Sequence, residues 1–159
     1  MKGVCNASPL ISLARAGLAD VLNRVFDEVV LPERVAEEIA RGSADDPARQ
    51  MLDVTTWLKR VRLDPPVSRT ASLQLGPGET DVIEWALRSP DYVAILDDRA
   101  ARRAAGALGV RCCGTLGVLA MAVRAGILPS FTRAAESLHQ AGLYVNRSVI
   151  RRIGAEFHE

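Results

Sequence analysis

Rings, sulfur and histidine are scarce in this chain. Only 4% of its 159 residues are aromatic: three Phe, two Trp and two Tyr. Single-strand binders of the barrel or RNA-recognition-motif kind stack bases on several exposed rings, and that class is not expected here. Three cysteines are too few for a disulfide framework. A structural zinc site takes four Cys or His ligands, whereas Cys112 and Cys113 are neighbours that a strand would point to opposite faces. Cys5, Cys112 and Cys113 are expected to fill core in a reducing compartment. The two histidines, His139 and His158, both lie near the end, and His139 reads as a helix residue beside Leu138, not as a base. No apolar run approaches the roughly 18 residues of a membrane span. No charged segment followed by an apolar stretch opens the chain, so no signal peptide is expected and the protein is expected to be cytoplasmic.

What is present is an ordinary globular balance: 48% hydrophobic and 25% charged residues, with a net charge of +1. The length predicts one domain, residues 1–159, large enough to bury its own core. The charge is unevenly placed. Residues 1–98 hold 11 Lys/Arg against 16 Asp/Glu, and residues 99–159 hold 9 Arg against 3 Glu. An acidic front with a basic back suits carboxylates placed beside a phosphate-tracking surface, although solvated helix faces give the same imbalance.

Apolar patterning alternates strand and helix. Val4-Cys5 predicts a first strand ending at Asn6, and Ser8-Pro9 a helix start, because Ser caps and Pro suits the first turn. Residues 18–26 predict a short helix, 28–31 a strand, and Pro32 the start of a helix that ends at Gly42. A helix over 47–58 and a short strand over 59–63 follow. Residues 64–78, with Pro65, Pro66 and Pro77, are expected to be irregular. A helix over 78–88 leads to Tyr92-Val93-Ala94-Ile95-Leu96, a continuous apolar run typical of a central parallel strand. A helix over 98–108, a strand over 110–113, a helix capped by Thr115, and helices over 129–140 and 148–157 complete the chain. This alternation predicts a three-layer α/β/α sandwich with a mostly parallel central sheet.

In open α/β sheets, functional groups gather beyond the carboxyl ends of the strands. Asn6 follows the first strand there, and Asp97 and Asp98 follow the central one. Glu79 and Asp81 open the preceding helix, and Glu37 and Glu38 lie on the helix after the second strand. Oxygen donors of this kind suit hard cations such as Mg²⁺ or Mn²⁺, which activate water and stabilise charge on a phosphoryl group. Each acid also has a purely structural use. Glu79 and Asp81 favour a helix macrodipole, Asp98 can cap its helix, and Glu38 can pair with Arg34 at i,i+4. Gly76-Pro77-Gly78 lacks the third glycine of a dinucleotide loop, and no nucleophile elbow or Cys–His pair is present. Arg99, Arg102 and Arg103 share one helix beginning at the acidic cluster and are candidates for nucleic-acid binding.

Five stretches in order carry a resemblance: NASPLISLARAG at 6–17, VVLPERVAEEIARG at 29–42, LGPGETDVIEWAL at 75–87, AILDDRAARRAAGALGV at 94–110 and GTLGVLAMAVRAGILPS at 114–130. Together they resemble the PIN-domain family, and within it a bacterial and archaeal subfamily related to the VapC-type toxin ribonucleases. The resemblance implies an endoribonuclease in which a carboxylate cluster holds Mg²⁺ or Mn²⁺ and activates water. It places Asn6 at the leading acid position with Ser8 as the hydroxyl behind it. Glu38, Asp81 and Asp98 take the catalytic and metal positions, Asp97 stands beside Asp98 as a further ligand, and Glu79 is a supporting acid. Asn6 departs from the family pattern, removing one negative charge from the site.

Two expectations follow. One is a metal-dependent ribonuclease of the toxin–antitoxin kind, with RNA as substrate, a small antitoxin protein as partner and a homodimer as a further form. The other is a weakly active or inactive PIN-like module that binds RNA or a partner protein. A phosphohydrolase with an aspartate nucleophile on the first strand is excluded by Asn6.

Overall fold

The structure, a computed structural model, describes residues 1–64 and 70–159. Part of the irregular stretch expected over 64–78 therefore lies outside the described residues. Five strands form one sheet: β1 (Lys2–Cys5), β2 (Glu28–Pro32), β3 (Leu58–Val61), β4 (Tyr92–Ile95) and β5 (Cys112–Cys113). Their order is β3-β2-β1-β4-β5, and every pairing is parallel. The helices are α1 (Ala7–Arg15), α2 (Asp20–Val25), α3 (Glu33–Ala40), α4 (Pro47–Val54), α5 (Pro77–Arg88), α6 (Arg99–Ala107), α7 (Thr115–Arg124), α8 (Phe131–Gln140) and α9 (Arg147–Ala155). The result is the predicted α/β sandwich. None of the helices among the described residues is long and apolar enough to cross a membrane.

The chain builds outward from β1 to β2 and β3, then returns to lay β4 and β5 on the other side. The order reverses between β1 and β4, and such a switch point opens a crevice at the strands' carboxyl ends. Cys5 lies across from Ile95 in the register, and the Asn6 amide donates to the Ile95 carbonyl at 3.1 Å. Asn6 and Leu96 therefore leave the sheet side by side. Beneath them β1, β2 and β4 supply Val4, Leu31, Ala94 and Ile95, all buried. The continuous apolar runs reflect cover on both faces of a parallel sheet.

Several expected boundaries move, each for a local reason. Asn6, not Ser8, holds the N-cap position of α1, so the helix begins at Ala7. The helix expected over 47–58 ends at Val54, because Thr55 is extended and Leu58 is drawn into β3 against Val29. Gly114 precedes α7, and the Thr115 hydroxyl donates to Asp97 instead of capping. The last strand shrinks to Cys112–Cys113. The last helix starts at Arg147 because the Asn146 side chain accepts from the Ser148 amide at 2.9 Å.

Two carboxylates join distant parts of the chain. Glu28 accepts from Lys59 and from the Tyr92 hydroxyl, tying β2 to β3 and β4, and these contacts bring its pKa down from 4.5 to about 2. Glu159 accepts from the Phe131 and Thr132 amides at 2.9 and 2.8 Å and from the Ser130 hydroxyl. It thereby caps α8 from the far end of the chain, and its pKa falls from 4.5 to about 2. Depressed values mean stability that is present above pH 4.5 and lost as the pH falls towards 2. Melting curves should show that decline in the wild type, and a flatter one in Glu28→Gln and Glu159→Gln. Unchanged slopes in both variants would show that neither carboxylate governs acid unfolding.

Candidate metal and active site

Asn6 sits where an N-cap residue belongs, with extended φ −87° and ψ 169°, yet its side chain makes no capping bond. Asparagine at this position ordinarily accepts from an amide in the first turn. Here the side chain turns away, and its Oδ1 is buried with no partner among the described residues. The oxygen faces Gly78 in the first turn of α5. A Cβ at Gly78 would stand 3.2 Å from Asn6 Oδ1 and 3.1 Å from Glu38 Oε2. Val35 Cγ2 stands equally close at 3.1 Å, so any larger residue at Gly78 would displace the two oxygens or the Val35 methyl.

Gly78 borders a cleft of about 410 Å³ whose walls include Glu37, Glu38, Glu79, Arg34 and Arg41. Glu79 is occupied in capping, because its Oε2 accepts from the Gly76 amide at 3.0 Å. Glu38 is exposed on α3 and remains available. Ser8 is also exposed and borders a neighbouring groove that Glu38 shares.

Asp81 stands one hollow away, in a space of about 230 Å³ that shares Arg34 and Glu37 with the cleft. Its carboxylate is 4% exposed, and its Oδ2 pairs with Arg34 Nε at 3.0 Å. Arg34 thus pairs with Asp81, not with Glu38 as its i,i+4 spacing predicts. Asp81 Oδ1 has no partner among the described residues. Burial raises the Asp81 pKa, the Arg34 charge opposes that rise, and Glu37 and Glu84 add to it.

The two acids after β4 serve structure as placed. Asp97 accepts from the Thr115 amide and hydroxyl, both at 2.7 Å, fixing the start of α7 beside β4. Asp98 caps α6 by accepting from the Ala101 amide at 2.8 Å. Arg99, Arg102 and Arg103 follow it on α6, all exposed. Among the described residues no three Asp, Glu, His or Cys side chains come together in a group able to hold a metal ion. The structure thus brings together Asn6 and Glu38, holds Asp81 behind Arg34, and leaves Asp97 and Asp98 on helix ends. Sequence reasoning missed Arg34 and Gly78. Gly78 was legible as a glycine just inside a Pro-initiated helix, a position that seldom needs one.

A family model described as a PIN domain, DUF3368, matches residues 2–159. The chain belongs to the PIN-domain family. No match was found among curated proteins. PIN domains are typically nucleases that bind divalent metals, and the oxygens of this PIN domain can be tested against that use. Among the described residues Asn6 Oδ1 is buried without a partner, it and a Glu38 carboxylate oxygen both face Gly78, and Asp81 carries a second oxygen without a partner. Mg²⁺ binds through one or two carboxylates and keeps several waters, so this all-oxygen set fits such an ion. Asn6 and Glu38 are the residues of the cleft that would hold it, and Asp81 lies one hollow away, paired with Arg34.

Proposed function

We propose that this PIN domain is a divalent-cation-dependent endoribonuclease whose working cleft is built on Asn6 and Glu38, with Asp81 in the adjoining hollow. The observation that carries the reading is the Asn6 side chain, which forgoes its capping bond to leave a buried oxygen facing Glu38 across Gly78. When bound, Mg²⁺ or Mn²⁺ supplies charge stabilisation at the phosphoryl oxygens and lowers the pKa of a bound water. The chain's own contribution is placement. Glu38 and Asn6 orient the cation-facing oxygens, and Arg34 and Arg41 line the same cleft as positive partners for RNA phosphates. Arg34 also opposes the rise in the Asp81 pKa that burial causes. Asp97 positions β4 against α7, and the exposed α6 arginines extend the positive surface for RNA. A small antitoxin protein remains the partner expected of a toxin of this kind.

One observation favours the second reading, a weakly active module that holds RNA or a protein. Asp81 is already neutralised by Arg34, and the leading position is an amide. Cleavage of a fluorescent oligoribonucleotide in Mn²⁺ and in EDTA separates the two. The nuclease reading expects metal-dependent cutting, reduced roughly 10–100-fold or more in Glu38→Gln and Asp81→Asn. It also expects a Mn²⁺-induced rise in Tm that Glu38→Gln loses. RNA retained without cutting in Mn²⁺ would leave the binding module as the function.

A further inference from the structure

A second hollow, of about 670 Å³, lies between α8 and α9, away from the acidic cleft. Glu136, His139 and Gln140 border it from α8, and Arg147, Ile150 and Arg151 from α9. Arg147 and Arg151 are one helical turn apart and exposed, and neither has an ion-pair or hydrogen-bond partner among the described residues. Two guanidiniums against the single Glu136 carboxylate leave the hollow net positive. Three residues before Arg147 stands Tyr144, whose ring is 92% exposed, whereas Phe26, Tyr92 and Phe131 are buried. An exposed ring on the segment that leads into these arginines, which lack partners among the described residues, brings to one short stretch the two elements that hold a single strand: a π-face for a base and fixed positive charge for phosphates.

The turn that follows α8 links the hollow to the cleft along the chain. A groove of about 270 Å³ runs between α1 and the turn at 141–143, and Glu38 borders both this groove and the cleft. The same turn joins α8 to the Tyr144 segment, and Asn146 fixes its exit by accepting from Ser148 Oγ at 2.8 Å. We propose that the α8–α9 hollow and Tyr144 form a docking site for the flank of a single-stranded RNA. Arg147 and Arg151 hold phosphates there, and Tyr144 stacks one base, several nucleotides from the bond at the acidic cleft. This site deepens the ribonuclease reading and rests on it for the identity of the strand. A single ring serving one base is compatible with an aromatic-poor chain, because the remaining contacts are charge.

The test is fluorescence anisotropy of the full chain with a labelled oligouridylate of about eight nucleotides, in EDTA. Binding there needs no metal, so the docking site and the nuclease reading can fail separately. The combined R147Q and R151Q substitutions should weaken binding at least tenfold and flatten the salt dependence, by about 0.7 of slope for each phosphate no longer held. Tyr144→Ala should weaken binding roughly fivefold or more with the salt slope unchanged. All three positions are exposed, and circular dichroism verifies the fold. Wild-type affinity and slope in the arginine and Tyr144 variants would overturn the site, as would no binding by the wild type. Tighter binding of polyglutamate than of the oligonucleotide would also overturn it, making the hollow a seat for an acidic protein segment. Oligonucleotide binding with no cutting in Mn²⁺ would uphold the site and reject the nuclease reading alone.

Discussion

Glu84→Ala should cost this PIN domain about 3–5 kcal/mol, the range for removing one member of a buried ion pair. Glu84 is 2% exposed in the middle of α5. Its Oε1 accepts from Arg88 Nε at 3.0 Å, one turn along the helix, and its Oε2 accepts from the buried Thr70 hydroxyl at 3.1 Å. Removing the carboxylate leaves the Thr70 hydroxyl in a closed site without its acceptor. It also takes this partner from Arg88 and leaves a void at a position that is 2% exposed. For a chain of this length the Tm should fall by roughly 10 °C. Thr70→Val tests the other end. It keeps the volume but orphans Glu84 Oε2, for an expected loss of about 1–3 kcal/mol. Double-mutant analysis should show the two substitutions coupled, since they share one hydrogen bond. Additive losses would mean that Thr70 and Glu84 stabilise the fold independently.

Glu84 also marks where sequence reading stops. The stretch around it shows apolar positions at helical spacing, and from that pattern a lone carboxylate reads as the polar face. Its burial depends on Thr70 arriving from a proline-rich stretch, a contact that no periodicity encodes. The sheet was legible for the opposite reason: Tyr92–Leu96 and Val29–Leu31 are runs too apolar for anything but strands covered on both faces. Helix starts were less legible, because capping residues compete. Ser8 and Asn6 are both good caps, and the residue at the N-cap turns out not to cap at all. At the site, the identities were legible and the pairings were not. Arg34 has an acid four residues ahead on its own helix, yet it reaches across to Asp81 on α5, where a buried carboxylate offers more than an exposed one. Likewise Asp97 and Asp98 read as one pair, whereas the end of β4 sends one to Thr115 and the other to the start of α6.

The amide at position 6 gives the second large effect. Asn6→Asp changes almost no volume but places a carboxylate where Oδ1 is already buried with no partner among the described residues, facing Glu38 across Gly78. In EDTA the new charge faces the Glu38 carboxylate with no bound cation, and of the two cleft arginines Arg34 is already paired with Asp81. The pKa of the new carboxyl should rise above the usual aspartate range, from both burial and repulsion. A raised value in the folded state carries no penalty below the ordinary pKa, and the penalty grows as the pH climbs through the raised one. Stability in EDTA should therefore match the wild type near pH 3 and fall below it by about 3 kcal/mol at pH 7, as for an uncompensated buried charge. Millimolar Mn²⁺ should close most of that gap. An added anionic ligand tightens the site, and a cation at 100 times its Kd adds about 2.7 kcal/mol to the folded state. The wild type, with a neutral oxygen there, should gain less. Melting curves at pH 3 and pH 7, each with EDTA or Mn²⁺, give all four comparisons. If the substitution destabilises at pH 7 but both proteins respond equally to Mn²⁺, Asn6 lies among the acids without facing the cation. The leading position would then be a packing site in this PIN domain.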